Sequence, residues 1–160
     1  MKTFRLVSLH LLLLENGRVV KSSVLLNDGL IINREEGNGS WLVEAVVSAN
    51  KQAFFQKMLE NDELCVLKVV ITDKNNDPAI MSAKVRTITE LSEHISVLFD
   101  ASMMVGKEEV SSLILEELIE DGFTGDELVK EFTHRKEDQI EWSVKIAEKI
   151  YRENGLKIDG

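Results

Sequence analysis

Near residue 107 the chain changes character. Before that point, short runs of alternating apolar and polar residues are broken by Asn16-Gly17, Asn27-Asp28-Gly29 and Asn76-Asp77-Pro78. Alternation with period two puts one face of a strand on a core and the other in water, and Asn-Gly is a strong hairpin signal. After residue 107 the apolar residues recur at helical spacing and charged residues fill the gaps. The pattern therefore divides the chain into a β module over residues 1–106 and a helical appendage over 107–160.

Strand-like runs cover residues 3–14, 19–26, 30–32, 41–47, 64–72, 80–91 and 94–101. Met81, Ala83 and Val85 oppose Ser82, Lys84 and Arg86, and Ile95, Val97 and Phe99 oppose His94, Ser96 and Asp100. Half-wet strands joined by short turns predict an antiparallel β-sandwich or partly closed barrel. Between the fourth and fifth runs, Ser48 or Asn50 caps a helix to about Glu60, with Phe54, Phe55, Met58 and Leu59 on one stripe. Such a helix plugs an open end of the core. Residues 108–121 form a first tail helix, stopped by Gly122. Residues 125–154 form a second, with a possible bend in the polar stretch 133–139. The expectation is a C-terminal two-helix pair.

Formal net charge is −9. Residues 1–107 carry 12 Lys/Arg against 13 Asp/Glu, and residues 108–160 carry 7 against 15. An acidic face repels phosphate backbones and anionic lipid, so neither nucleic acid nor a membrane is the expected partner. The N-terminal run from Leu6 to Leu14 is interrupted by Ser8 and His10 and leads into Asn16-Gly17, which favours a strand over a secretory signal. The single cysteine, Cys65, forms no disulfide within the chain and fits a reducing, cytoplasmic compartment.

Chemical motifs are sparse. Asp73, Asn75 and Asp77 have the spacing of a calcium loop, but Pro78 stands where glycine is needed and Lys84 where glutamate is needed. A hairpin whose Asn and Asp side chains satisfy their own backbone explains the stretch better. His10, His94 and His134 have no neighbour at metal-ligand spacing. Gly37-Asn38-Gly39 is too slight for a phosphate loop, and the acidic pairs of the tail are an ordinary solvated helix face. No catalytic residue, metal site or cofactor is expected, and an enzyme is the least favoured class.

Met1-Lys2-Thr3-Phe4-Arg5-Leu6-Val7-Ser8-Leu9, Asp28-Gly29-Leu30-Ile31-Ile32-Asn33, Val70-Ile71-Thr72-Asp73 with Asn76-Asp77-Pro78-Ala79, and His94-Ile95-Ser96-Val97-Leu98 resemble the YwpF-like family of small bacterial proteins. The resemblance covers roughly residues 1–104. It implies a β-sandwich core followed by a helix pair, with a core similar to the ring-forming tube (Hcp-like) proteins of type VI secretion. It carries over no activity and no catalytic residue.

Two functional expectations follow. The first is a non-enzymatic scaffold or protein-interaction module able to self-associate as a homo-oligomer. Its contacts would centre on Trp142, Ile146, Ile150 and Tyr151, because that half of the last helix is apolar around too broad an arc for one narrow stripe. The second is a binding module that holds a small apolar ligand or an extended peptide in a mouth near Trp41, Phe54 and Phe55.

Overall fold

The computed structural model describes residues 2–34, 40–106, 109–137 and 139–159, with the backbone alone for 139–141. The Gly37–Gly39 loop, Glu108 and the side chain of Ile140 lie outside the described residues. The chain order is β1 (Lys2–Glu15), β2 (Arg18–Val24), β3 (Asp28–Asn33), β4 (Ser40–Ser48), a 3-10 turn (Ala49–Lys51), α1 (Gln52–Glu60), β5 (Cys65–Ile71), β6 (Ala79–Glu90), β7 (His94–Val105), α2 (Val110–Glu120), α3 (Gly125–Glu137) and α4 (Gln139–Glu153).

Each strand-like run of the sequence is a strand, but the sheet is neither a sandwich nor half open. Strands β1, β3, β4, β7, β6 and β5 pair in that order, and β5 returns to β1, closing a six-stranded antiparallel barrel. Closure rests on one long-range seam, in which Leu6 faces Ile71 and Leu12 faces Val66. No local pattern encodes that pairing, which is why the sequence leaves the choice open.

β2 and β3 are two halves of one long partner for β1. Leu9 pairs with Val24 and Arg5 with Leu30, so four steps on β1 face six on the partner. The two extra residues bulge out at Leu25–Asn27. The hairpin joining β1 to β2 turns at Asn16 (φ 52°) and Gly17 (φ 79°), both left-handed, as a two-residue type I′ turn requires. Gly29 is needed for a different reason. A Cβ there would lie 2.9 Å from the Leu6 Cβ and 3.3 Å from the Glu44 carbonyl oxygen.

Two apolar layers result. Inward residues such as Leu9, Leu11, Val43, Leu67, Val97 and Phe99 fill the barrel, and Phe55 and Met58 of α1 close it. Phe55 meets Phe99 edge-on, with centroids 6.1 Å apart. Outward residues Leu12, Val66 and Ile80 form a second layer beneath Val110, Ile114 and Leu118 of α2 and Ala147, Ile150 and Tyr151 of α4. The tail is described as α2 and, in place of the expected second helix, as the helical segments α3 and α4, with residue 138 between them outside the described residues.

Candidate functional site

Strand β4 pairs with β3 only as far as Val46, opposite Asp28, and then leaves through Ser48 into the 3-10 turn and α1. The Ser48 side chain accepts from the Asn50 N–H and so fixes the start of that turn. β2 continues straight on. Between the diverging elements the barrel opens sideways into a cavity of about 660 Å³, well within the range of small-ligand sites.

One wall of this mouth is formed by residues 22–27, and the other by Val47, Ser48, Asn50, Lys51 and α1. Consecutive residues rather than alternate ones line the first wall, so β2 presents its edge and not a face. Among the described residues β2 pairs with β1 alone, which leaves that edge unpaired. The floor is the barrel core itself, at Leu11, Val47 and Phe55. Leu25 on the bulge is 91% exposed, and Phe54, which meets Phe55 edge-on with centroids 5.0 Å apart, is 40% exposed, so two large apolar side chains flank the opening. Lys51 and His94 are the ionisable residues of the lining; no carboxylate is among them.

The sequence-derived ligand mouth is thus half assembled here. Phe54 and Phe55 lie at the mouth, but Trp41 does not. Trp41 opens β4, whereas the mouth forms where β4 ends, so the two lie at opposite ends of that strand. Trp41 packs instead on Phe4, with ring centroids 6.5 Å apart.

A second cleft of about 750 Å³ lies on the other side of α1, where Met58, Leu64 and Tyr151 meet charged Lys57, Asp62, Glu63 and Lys84. Lys84 and Asp62 pair across its rim at 3.0 Å.

The residues expected at an interface are largely turned inward. Trp142, Ile150 and Tyr151 are buried against the barrel's outer face, and the Tyr151 hydroxyl donates to the Leu12 carbonyl at 2.5 Å. Burial raises the Tyr151 pKa, so this hydroxyl keeps its proton. Packing within the chain accounts for their apolar area. Ile146 is half-buried, and with Ile150, Met104 and Leu113 it floors a shallow groove of about 430 Å³ rimmed by Glu109, Glu116 and Glu153.

The remaining reactive groups have ordinary explanations. Cys65 is buried, its thiol 3.3 Å from the Ala83 carbonyl, and burial pushes its pKa up to about 12, which makes it inert. The Asp73 carboxylate accepts from the Asn75 N–H at 2.9 Å, an Asx turn within the hairpin, and Asp77 pairs with Lys136. No cluster of three metal-ligating residues occurs among the described residues. Among the described residues, no helix is long and apolar enough to cross a membrane. Sequence reasoning missed the open edge of β2, which depends on where β3 and β4 stop pairing.

The YwpF-like protein family model matches residues 2–135. A Bacillus subtilis (strain 168) protein, described as uncharacterized protein YwpF, is 36% identical over 135 residues, which make up 84% of this chain and 99% of that one. A crystal structure of a hypothetical protein from Staphylococcus aureus superposes with a TM-score of 0.58 at 34% identity, covering 87% of this chain and 95% of the other. The family match ends before α4 begins. With a family model matched from the first described strand into α3, and a relative matched almost end to end, the chain belongs to the YwpF-like family.

Proposed function

We propose that this chain is a non-enzymatic, cytoplasmic protein-interaction module that takes an extended peptide in the barrel mouth, as a strand added to β2. One observation carries the reading: an unpaired strand edge borders an apolar cavity floored by the core. Main-chain groups of such an edge supply affinity, and pockets beside it supply selectivity. Leu25 and Phe54 would grip apolar side chains of the incoming segment. Lys51 and His94, with no carboxylate in the lining, favour a segment that carries an acidic group.

Peptides selected from a random display library should bind the full chain. Binding should fall at least tenfold in Leu25→Asp and in Phe54→Ser, each with an unchanged circular dichroism spectrum. Failure to select any peptide, or selected peptides indifferent to both substitutions, would refute the reading.

Self-association is the second reading. It is supported by the groove where Met104 (40% exposed) and Ile146 meet. Light scattering across a hundredfold range of concentration tests it: a constant monomer mass removes it.

A further inference from the structure

The outer face of the barrel holds a group of basic side chains without counter-ions. Strand β5 is apolar except for Lys68, which points outward between Val66 and Val70. Across the closing seam Lys68 faces His10, and His10 in turn faces Ser23 of β2. Leu12 faces Lys21, which sets Lys21 one diagonal step from His10 on the same face. Direct cross-strand neighbours have Cβ atoms about 5 Å apart and diagonal ones about 7–8 Å. Three basic side chains therefore share one small patch.

None of them is neutralised. The chain has 28 Asp and Glu residues. Even so, among the described residues neither lysine forms an ion pair or hydrogen bond. Lys68 is only 6% exposed. Two further nitrogens have no hydrogen-bond partner among the described residues: His10 Nδ1 and Trp142 Nε1, both buried. Trp142 packs in the layer that contains Val66, the near neighbour of Lys68 on its own strand, and Ile80, its partner across β6. Burying an ammonium without a counter-charge is costly, and placing like charges side by side adds to the cost. The patch offers N–H donors and two positive charges, and no carboxylate pairs with either lysine among the described residues.

We propose that this patch is a binding site for a phosphate-type dianion, with Lys68 and Lys21 supplying the charge and His10 and Trp142 supplying N–H donors. Two lysine charges balance the two negative charges of the ligand, and the donors come from three strands and a helix, which suits a ligand with oxygens on several sides. His10 and Lys21 are only partly buried, so the patch opens to solvent at their edge. Cover over Lys68 limits the ligand to a small ion or the phosphoryl end of a larger molecule. The excess of acid over base in residues 108–160 repels a polyanion and leaves small anions as the fitting class. Both the mutual repulsion and the burial already register in the free protein: burial, then Lys21, pull the Lys68 pKa down to about 8, and burial, then Lys21 and Lys68, lower that of His10.

The test uses the full chain at pH 7 with inorganic phosphate against chloride at matched ionic strength. Phosphate should raise the melting temperature saturably by several degrees, with one-to-one binding by calorimetry and a Kd below about 1 mM. Binding should weaken at least tenfold in Lys68→Met and in Lys21→Gln, the second being a partly exposed position at which folding is secure. O-phosphoserine in a parallel titration separates the sources. Tighter binding of the ester means a phosphoryl group on a larger molecule, and tighter binding of inorganic phosphate means the free ion. Absence of saturable phosphate binding, or equal binding by wild type and both variants, would overturn the proposal. Neither substitution touches the mouth, so peptide capture and anion binding succeed or fail separately.

Discussion

Replacing Lys68 with Met should make the protein more stable, and the size of the gain should depend on pH in a defined way. The folded chain holds the Lys68 pKa at about 8, against 10.5 for a free lysine. At 1.36 kcal/mol for each pKa unit, the fold disfavours the charged form by about 3 kcal/mol. Below pH 8 both folded and unfolded chains are protonated, so the whole cost is present. Between pH 8 and 10.5 the folded chain releases the proton while the unfolded chain keeps it, and stability rises with pH. Above 10.5 the cost is gone. Met has nearly the same length, carries no charge, and is surrounded by Val66, Val70 and Ile80 on the outer face. The expected gain at pH 7 is about 1–3 kcal/mol after local relaxation, or roughly 2–10 °C in Tm for a chain of this size. Urea unfolding of both proteins at pH 7, 9 and 10.5 measures it. Cys65, whose raised pKa removes stability as pH climbs above 9, acts equally in both proteins and cancels in the difference. A variant less stable than wild type at pH 7, or a gap that stays constant to pH 10.5, would refute the claim that Lys68 is an uncompensated buried charge.

Other substitutions probe the frame. Gly29→Ala drives a methyl group to 2.9 Å from the Leu6 side chain, and should cost about 1–3 kcal/mol in chemical denaturation. Tyr151→Phe removes the only donor that α4 extends to the Leu12 carbonyl among the hydrogen bonds described, and should cost about 1–2 kcal/mol with little change in the far-ultraviolet spectrum. A chain ending at Gly106 should keep a β-type spectrum but bind an apolar dye, because Leu12, Val66 and Ile80 lose their cover. A dye-silent, monomeric fragment would show that the helices are dispensable to that face.

The strands were legible because each carries its own evidence in short range: alternation along β6 and β7, Asn16-Gly17 at the first hairpin, and Asp28-Gly29 where β3 begins. Barrel closure was not, because Leu6 to Leu12 meets Val66 to Ile71 across some sixty residues with no local mark of the pairing. Phe54 and Phe55 were read correctly onto a plugging helix. Trp41 was grouped with them on residue type, although the direction of β4 separates them. The apolar half of the last helix was legible as needing a surface, and the surface turned out to be the chain's own Leu12, Val66 and Ile80. One signal for the cation patch was present all along: a lone lysine at the centre of Cys65–Ile71, a strand otherwise wholly apolar. Its significance depends on register, which brings His10 and Lys21 beside it.

The closing seam between β1 and β5 also has a consequence for how the chain is made. β1 is synthesised first, and β2 covers one of its edges at once. The other edge, along Leu9-His10-Leu11-Leu12, stays bare until Val66 to Val69 has emerged. At about 5–20 residues per second, the 54 residues from Leu12 to Val66 take roughly 3–11 s. For that interval the growing chain displays a leucine-rich edge with free main-chain groups, the kind of template that recruits stray strands. Yield in a host should therefore depend more on crowding and on the pace of translation than on the stability of the finished barrel. Slower initiation and lower temperature should favour the closed form.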